Sequence, residues 1–91
     1  MIEGKTPSGF AFSLDDEKLD DMEILEYLAE VDDDMTQLPK LLEIFLGEKQ
    51  KKKLYDFIKK QDGRVSISTT YKILMEIFKV AGEQSKEVKK D

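Results

Sequence analysis

The sequence predicts a small all-α bundle of about four helices with a minor short β element, and three observations lead there. Apolar residues recur at spacings of three and four in four separate stretches between Asp20 and Ala81, the signature of helices that each bury one face. Gly47, Gly63 and Gly82 punctuate those stretches, as glycines do where helices stop or turn. Only two short runs, residues 9–14 and 65–67, alternate with the period of a strand. A chain of 91 residues holds one domain with a small core.

Residues 1–8, MIEGKTPS, show no periodicity and are expected to form a flexible N-terminal arm. The single helical domain then spans residues 9–81. From Gly9 to Leu14, Phe10, Phe12 and Leu14 share one side and Ala11 and Ser13 the other, a strand with one apolar face. A lone strand leaves its backbone groups unpaired, and the comparable run is Val65-Ser66-Ile67. The strand therefore pairs with that run or with its own copy in a second chain, or Phe10 and Phe12 plug the core from an extended segment. Residues 15–18 read as a turn.

The first helix begins at Asp20, with Glu23 at the capping-box spacing. Its apolar stripe is Met22, Leu25, Leu28 and Ala29, edged by Ile24, Tyr27 and Val31, and it ends at Asp32-Asp33-Asp34. The second helix, residues 36–46, carries Pro39 in its first turn, where amide protons lack acceptors. Leu38, Leu41, Leu42 and Phe45 form its stripe, and Ile44 and Leu46 widen it. A third helix runs from Glu48 to about Gln61, lysine-rich in its first half and apolar at Leu54, Tyr55, Phe57 and Ile58 in its second. Asp62-Gly63 marks a turn with positive φ, and Ser68 or Thr69 caps the fourth helix. That helix has two apolar rows: Tyr71, Leu74, Met75, Phe78 and Ala81, and beside it Ile73, Ile77 and Val80. Gly82 breaks the pattern, leaving residues 82–91 as a flexible polar tail.

Charge is distributed unevenly. Residues 15–34 hold eleven acids and one lysine, residues 48–64 seven bases and three acids, and the whole chain nets −5. Such an acidic chain is a poor non-specific binder of nucleic acid. The fourth helix, with Lys72 and Lys79 as its bases, is too apolar to lie in a DNA groove. The run Lys49, Lys51, Lys52, Lys53 reads as a solvated face that the acidic segment can neutralise. Histidine and cysteine are both absent, which removes imidazole bases, thiolate nucleophiles, disulfides and nearly all zinc chemistry. Neither aspartate motif makes a calcium site. The triplet Asp32-Asp33-Asp34 lacks the loop glycine, and aligning Gly63 with that glycine leaves only Asp62 in a ligand position. No catalytic residue, metal or cofactor is expected. No apolar run approaches the roughly 20 residues that span a bilayer, and the N-terminus lacks the basic and apolar blocks of a secretory signal, so a cytoplasmic location is expected.

The order of these segments resembles a known family. GFAFSLDDEKLDDMEILEYLAE (from Gly9), LPKLLEIFLGEKQKKKLYDFI (from Leu38), DGRVSIS (from Asp62) and the terminal MEIF (from Met75) together are similar to the tail assembly chaperones of long, flexible-tailed bacteriophages and prophages. The pieces that carry most of the resemblance are Phe-x-Phe before Leu19-Asp20-Asp21, Leu-Pro-Lys before Leu46-Gly47, and Asp62-Gly63-Arg64-Val65. The resemblance implies a mostly helical, non-enzymatic protein that coats the tape-measure protein, recruits tail tube subunits and is absent from the mature virion. It also implies that a longer frameshifted form can exist. A chaperone for a long helical client needs an exposed apolar strip. Ile73, Ile77 and Val80, with Phe10 and Phe12, are the candidate partner-binding residues, unless they close against the first helix as core. The opposed charged segments suggest head-to-tail self-association into rings or filaments. A small acidic regulatory or adaptor module is the competing class, although leucines interrupt its acids at core-like intervals.

Overall fold

Four helices and one hairpin make up residues 1–89, the part of the chain that the computed structural model describes, with side chains through Gln84. The hairpin pairs β1 (Ile2–Lys5) with β2 (Ala11–Leu14). A 3₁₀ turn, Asp16–Asp20, leads into α1 (Met22–Asp33), and a second, Met35–Gln37, into α2 (Leu38–Leu46). Then come α3 (Glu48–Asp62) and α4 (Ile67–Lys89). This is the helical bundle with a minor β element that the periodicities predict.

The β element differs from expectation in its partner. Residues 65–67 form no strand: Ile67 opens α4. The strand that pairs with β2 comes from residues 1–8, expected to be a loose arm, with Ile2 opposite Leu14 and Gly4 opposite Phe12. Thr6-Pro7-Ser8-Gly9 closes the hairpin. The Thr6 N–H donates to Phe10 O at 2.9 Å, the Phe10 N–H to Thr6 Oγ1 at 3.1 Å, and Gly9 sits at φ 101°. Ile2 and Thr6 are buried and Glu3 and Lys5 exposed, so β1 alternates with period two after all. The alternation is hidden because Gly4 and Thr6 take inward positions. The space at Gly4 is tight, since a Cβ there would lie 3.1 Å from both Phe12 Cζ and Val80 Cγ1.

Both hairpin edges are occupied. The Ser13 N–H donates to Gln50 Oε1 at 2.8 Å, and Gln50 Nε2 donates to Ser13 O at 2.7 Å. One side-chain amide thus fills the pair of groups that a third strand would use, at the edge where a second copy was expected to pair. On β1, Gln84 Nε2 donates to Glu3 O at 3.0 Å. That bond also anchors α4 beyond Gly82, where the sequence pattern had ended it. A single glycine costs a helix only about 1 kcal/mol, and packing on β1 offsets it, so the stretch expected as a polar tail is helical to Lys89. The last two residues of that expected tail lie outside the described part.

The core joins the inner face of the hairpin to all four helices. Leu41, Leu42 and Phe45 of α2, Leu54 and Ile58 of α3, and Ile73, Leu74 and Ile77 of α4 are almost wholly buried. Phe45 stacks on Phe78 with ring centroids 4.3 Å apart, and Phe10 tilts against Phe57 at 5.5 Å. Capping follows the expected chemistry with the register moved. Asp21 rather than Asp20 caps α1, its Oδ1 accepting from the Glu23 N–H at 2.9 Å. At the α3–α4 corner Gly63 takes φ 80°, as the Asp-Gly dipeptide predicts. The cap of α4 lies two residues earlier than expected, at Ser66: its carbonyl accepts the Thr70 N–H at 3.0 Å and its Oγ the Thr69 N–H at 3.4 Å.

Candidate partner-binding surface

Helix α1 turns a different face inward than its apolar stripe suggests. Ile24 and Val31 are buried, with Tyr27 and Leu28 half-buried beside them, a row at spacings of three, four and seven. Met22 and Leu25, expected to be core, are 66% and 55% exposed, and Ala29 is exposed with them. Two rows have helical spacing, and the one that runs from Ile24 to Val31 is the one buried; near its end α1 is tied to α4. There the Tyr71 hydroxyl donates to Asp32 Oδ1 at 2.8 Å. That bond, followed by burial and the nearby charge, holds the Tyr71 phenol above its ordinary pKa.

The other row of α1 borders a cleft of about 370 Å³ between the 3₁₀ turn, α1 and α4. Leu19, Met22, Ile24, Leu25, Leu28 and Phe78 supply its apolar lining, and Asp20 and Asp21 its acidic end. Phe78 forms part of the cleft wall while it stacks on Phe45, so that wall is braced by the core. Among the described residues Lys18 is the base that lines the cleft, and its Nζ donates to Ile44 O at 2.8 Å, near the carboxyl end of α2. A second cleft, about 260 Å³, opens where α2, α3 and α4 meet. Met35, Leu38, Pro39, Tyr55, Val65 and Ile67 line it, and Ile67 is 63% exposed. Burial pushes the Tyr55 phenol up from its ordinary value.

The residues expected to bind a partner lie elsewhere. Ile73 and Ile77 have no exposed surface, Phe10 and Phe12 are buried, and Val80 is half-buried against the hairpin. They correct the expectation: Ile73 and Ile77 are core, and Val80 packs beside Gly4 of the unforeseen β1. Met22 and Leu25 are the exposed apolar residues of α1 that sequence reasoning missed. The available signal was the acids that flank them, Asp20, Asp21, Glu23 and Glu26, which mark a helix face in water.

No family model matches the chain, and neither characterised proteins nor solved structures provide a match.

The acids do not converge on a metal: among the described residues no three or more carboxylates come together to hold one. Asp62 instead fastens the corner before α4, its Oδ2 accepting from Thr69 Oγ1 at 2.7 Å and Ser66 Oγ at 2.8 Å. Those two bonds, with the Arg64 charge, hold the Asp62 carboxyl below its ordinary value. Among the described residues the lysine run and the acidic segment form no ion pair with each other. Among the described residues the ion pair formed is the terminal amine of Met1 with Asp16, at 3.4 Å. No helix there is long and apolar enough to cross a membrane.

Proposed function

We propose that this chain is a non-enzymatic tail assembly chaperone of long, flexible-tailed phages and prophages. It binds the tape-measure protein during assembly and recruits tail tube subunits in the host cytoplasm, and it stays out of the finished virion. The observation that carries the reading is the exposed apolar row of α1 beside an open cleft: Met22 and Leu25 lie in water on a helix that buries its other row. Large exposed apolar side chains rimmed by charge are what a holdase surface requires. The order of segments that resembles the family supports the same role. The acidic surroundings keep a loaded complex soluble.

Co-expression with the tape-measure protein of the same gene cluster tests this reading. The chain is expected to raise the soluble fraction of the tape measure several-fold and to co-purify with it. A tape measure equally insoluble with and without the chain contradicts the proposal.

A further inference from the structure

We infer that the occupant of the α1 cleft is an amphipathic helix with one apolar row and one basic row, laid along α1. The inference deepens the chaperone reading and rests on it, since it names the kind of client segment that the surface takes. Two parallel rows on α1 carry it. Met22, Leu25 and Ala29 form an exposed apolar row, and Glu23, Glu26, Glu30 and Asp33 form an exposed acidic row next to it. Both rows keep spacings of three and four, so each runs along the helix as a continuous ridge. The helix has 12 residues and is therefore about 18 Å long, which matches about three turns of a partner helix.

The cleft beside the apolar row has room for a few aliphatic side chains but not for a folded domain. Methionine and leucine at its mouth adapt to partners of varied shape. The sign of the partner follows from the rim. Residues 22–33 contain no base, and Lys18, the lysine that lines the cleft among the described residues, has its ammonium on a carbonyl of α2. An acidic client would meet uncompensated repulsion along the whole ridge, and a basic one is attracted. A second copy satisfies only half of this pattern. Its α3 offers Lys49, Lys52 and Lys53, but Leu54 and Ile58 of that helix are buried in their own core.

The test uses the full chain and a synthetic helical peptide of about 14 residues with a leucine row and a lysine row, matched to about four turns. Two control peptides replace the lysines with glutamates or the leucines with serines. Titration calorimetry is expected to show binding of the Leu/Lys peptide and at least about tenfold weaker binding of both controls. Leu25→Asp is expected to weaken the Leu/Lys peptide by a similar factor without changing the circular dichroism of the chain. Glu26→Gln with Glu30→Gln weakens it, while Glu48→Gln with Asp56→Asn, the same charge change on α3, does not. Equal binding of the three peptides, or full binding by Leu25→Asp, overturns the inference. A tape measure kept soluble by both wild type and Leu25→Asp overturns the cleft assignment and leaves the chaperone reading standing. One kept soluble by neither overturns the reading itself.

Discussion

At the scale of single residues, the molecule separates apolar side chains that hold the fold from those that face water, and the separation runs against the sequence pattern in two places. Ile77 belongs to the row expected to meet a client, yet it is wholly buried in the hydrophobic core. Ile77→Ala is expected to lower unfolding stability by about 2–5 kcal/mol through lost transfer energy and the cavity left behind. Ile77→Asp, which buries a charge, should leave no cooperative transition at all. Leu25→Ala, at a site mostly in water, should change stability by no more than about 0.5 kcal/mol. Urea unfolding followed by circular dichroism checks all three. A destabilised Leu25→Ala beside an intact Ile77→Ala would reverse the assignment of core and surface. Neither residue could be placed from periodicity, because α1 and α4 each carry two rows with helical spacing. Which row is buried depends on neighbours that the pattern does not name.

At the scale of elements, three helices were legible nearly to their ends because capping and stop residues mark them. Pro39 and Gly47 bracket α2, Gly63 closes α3, and an aspartate one residue along caps α1. The hairpin was legible by halves. Phe10, Phe12 and Leu14 announce β2, while β1 shows a single large apolar residue, Ile2, with Gly4 and Thr6 in the other inward positions. The Thr6-Pro7-Ser8-Gly9 turn was the clue that linked the two. Gly82 misled in the opposite direction, since tertiary packing overrides the weak propensity of one residue.

The α3–α4 corner makes a prediction at this scale. Hydrogen bonds from Thr69 and Ser66 depress the folded pKa of Asp62 below its ordinary value of 3.8. The stability that they confer is therefore fully present above the unfolded pKa and lost as pH falls through the folded one. Asp62→Ala should unfold at lower urea than wild type at about pH 7, and the gap between them should narrow at about pH 3. A gap of constant size across that range would show that the carboxylate charge plays no part in the corner.

At the scale of the whole molecule, the charge asymmetry read from the sequence persists in the fold. The acidic ridge of α1 and the lysines of α3 are not joined by ion pairs among the described residues, so both remain available to other molecules. If copies associate acidic face to basic face, the contact is electrostatic and salt weakens it. Sedimentation velocity should then show a mass above the 10.5 kDa of one chain at about 0.05 M salt, and a return to it at about 0.5 M. A mass unaffected by salt would rule out this mode of association. The proposed client binding is expected to resist salt better, because Met22 and Leu25 would add an apolar contact that salt does not screen.

The proposed partner surface lies on α1, whereas Ile73 and Ile77 of α4 are core. Methyl NMR of the chain, alone and in complex with a soluble segment of the proposed tape-measure client, tests both most directly. Binding is expected to shift the methyl signals of Met22, Leu25 and Leu28 and to leave those of Ile73 and Ile77 in place. Shifts concentrated at Ile73 and Ile77 with Met22 and Leu25 unmoved would contradict the account.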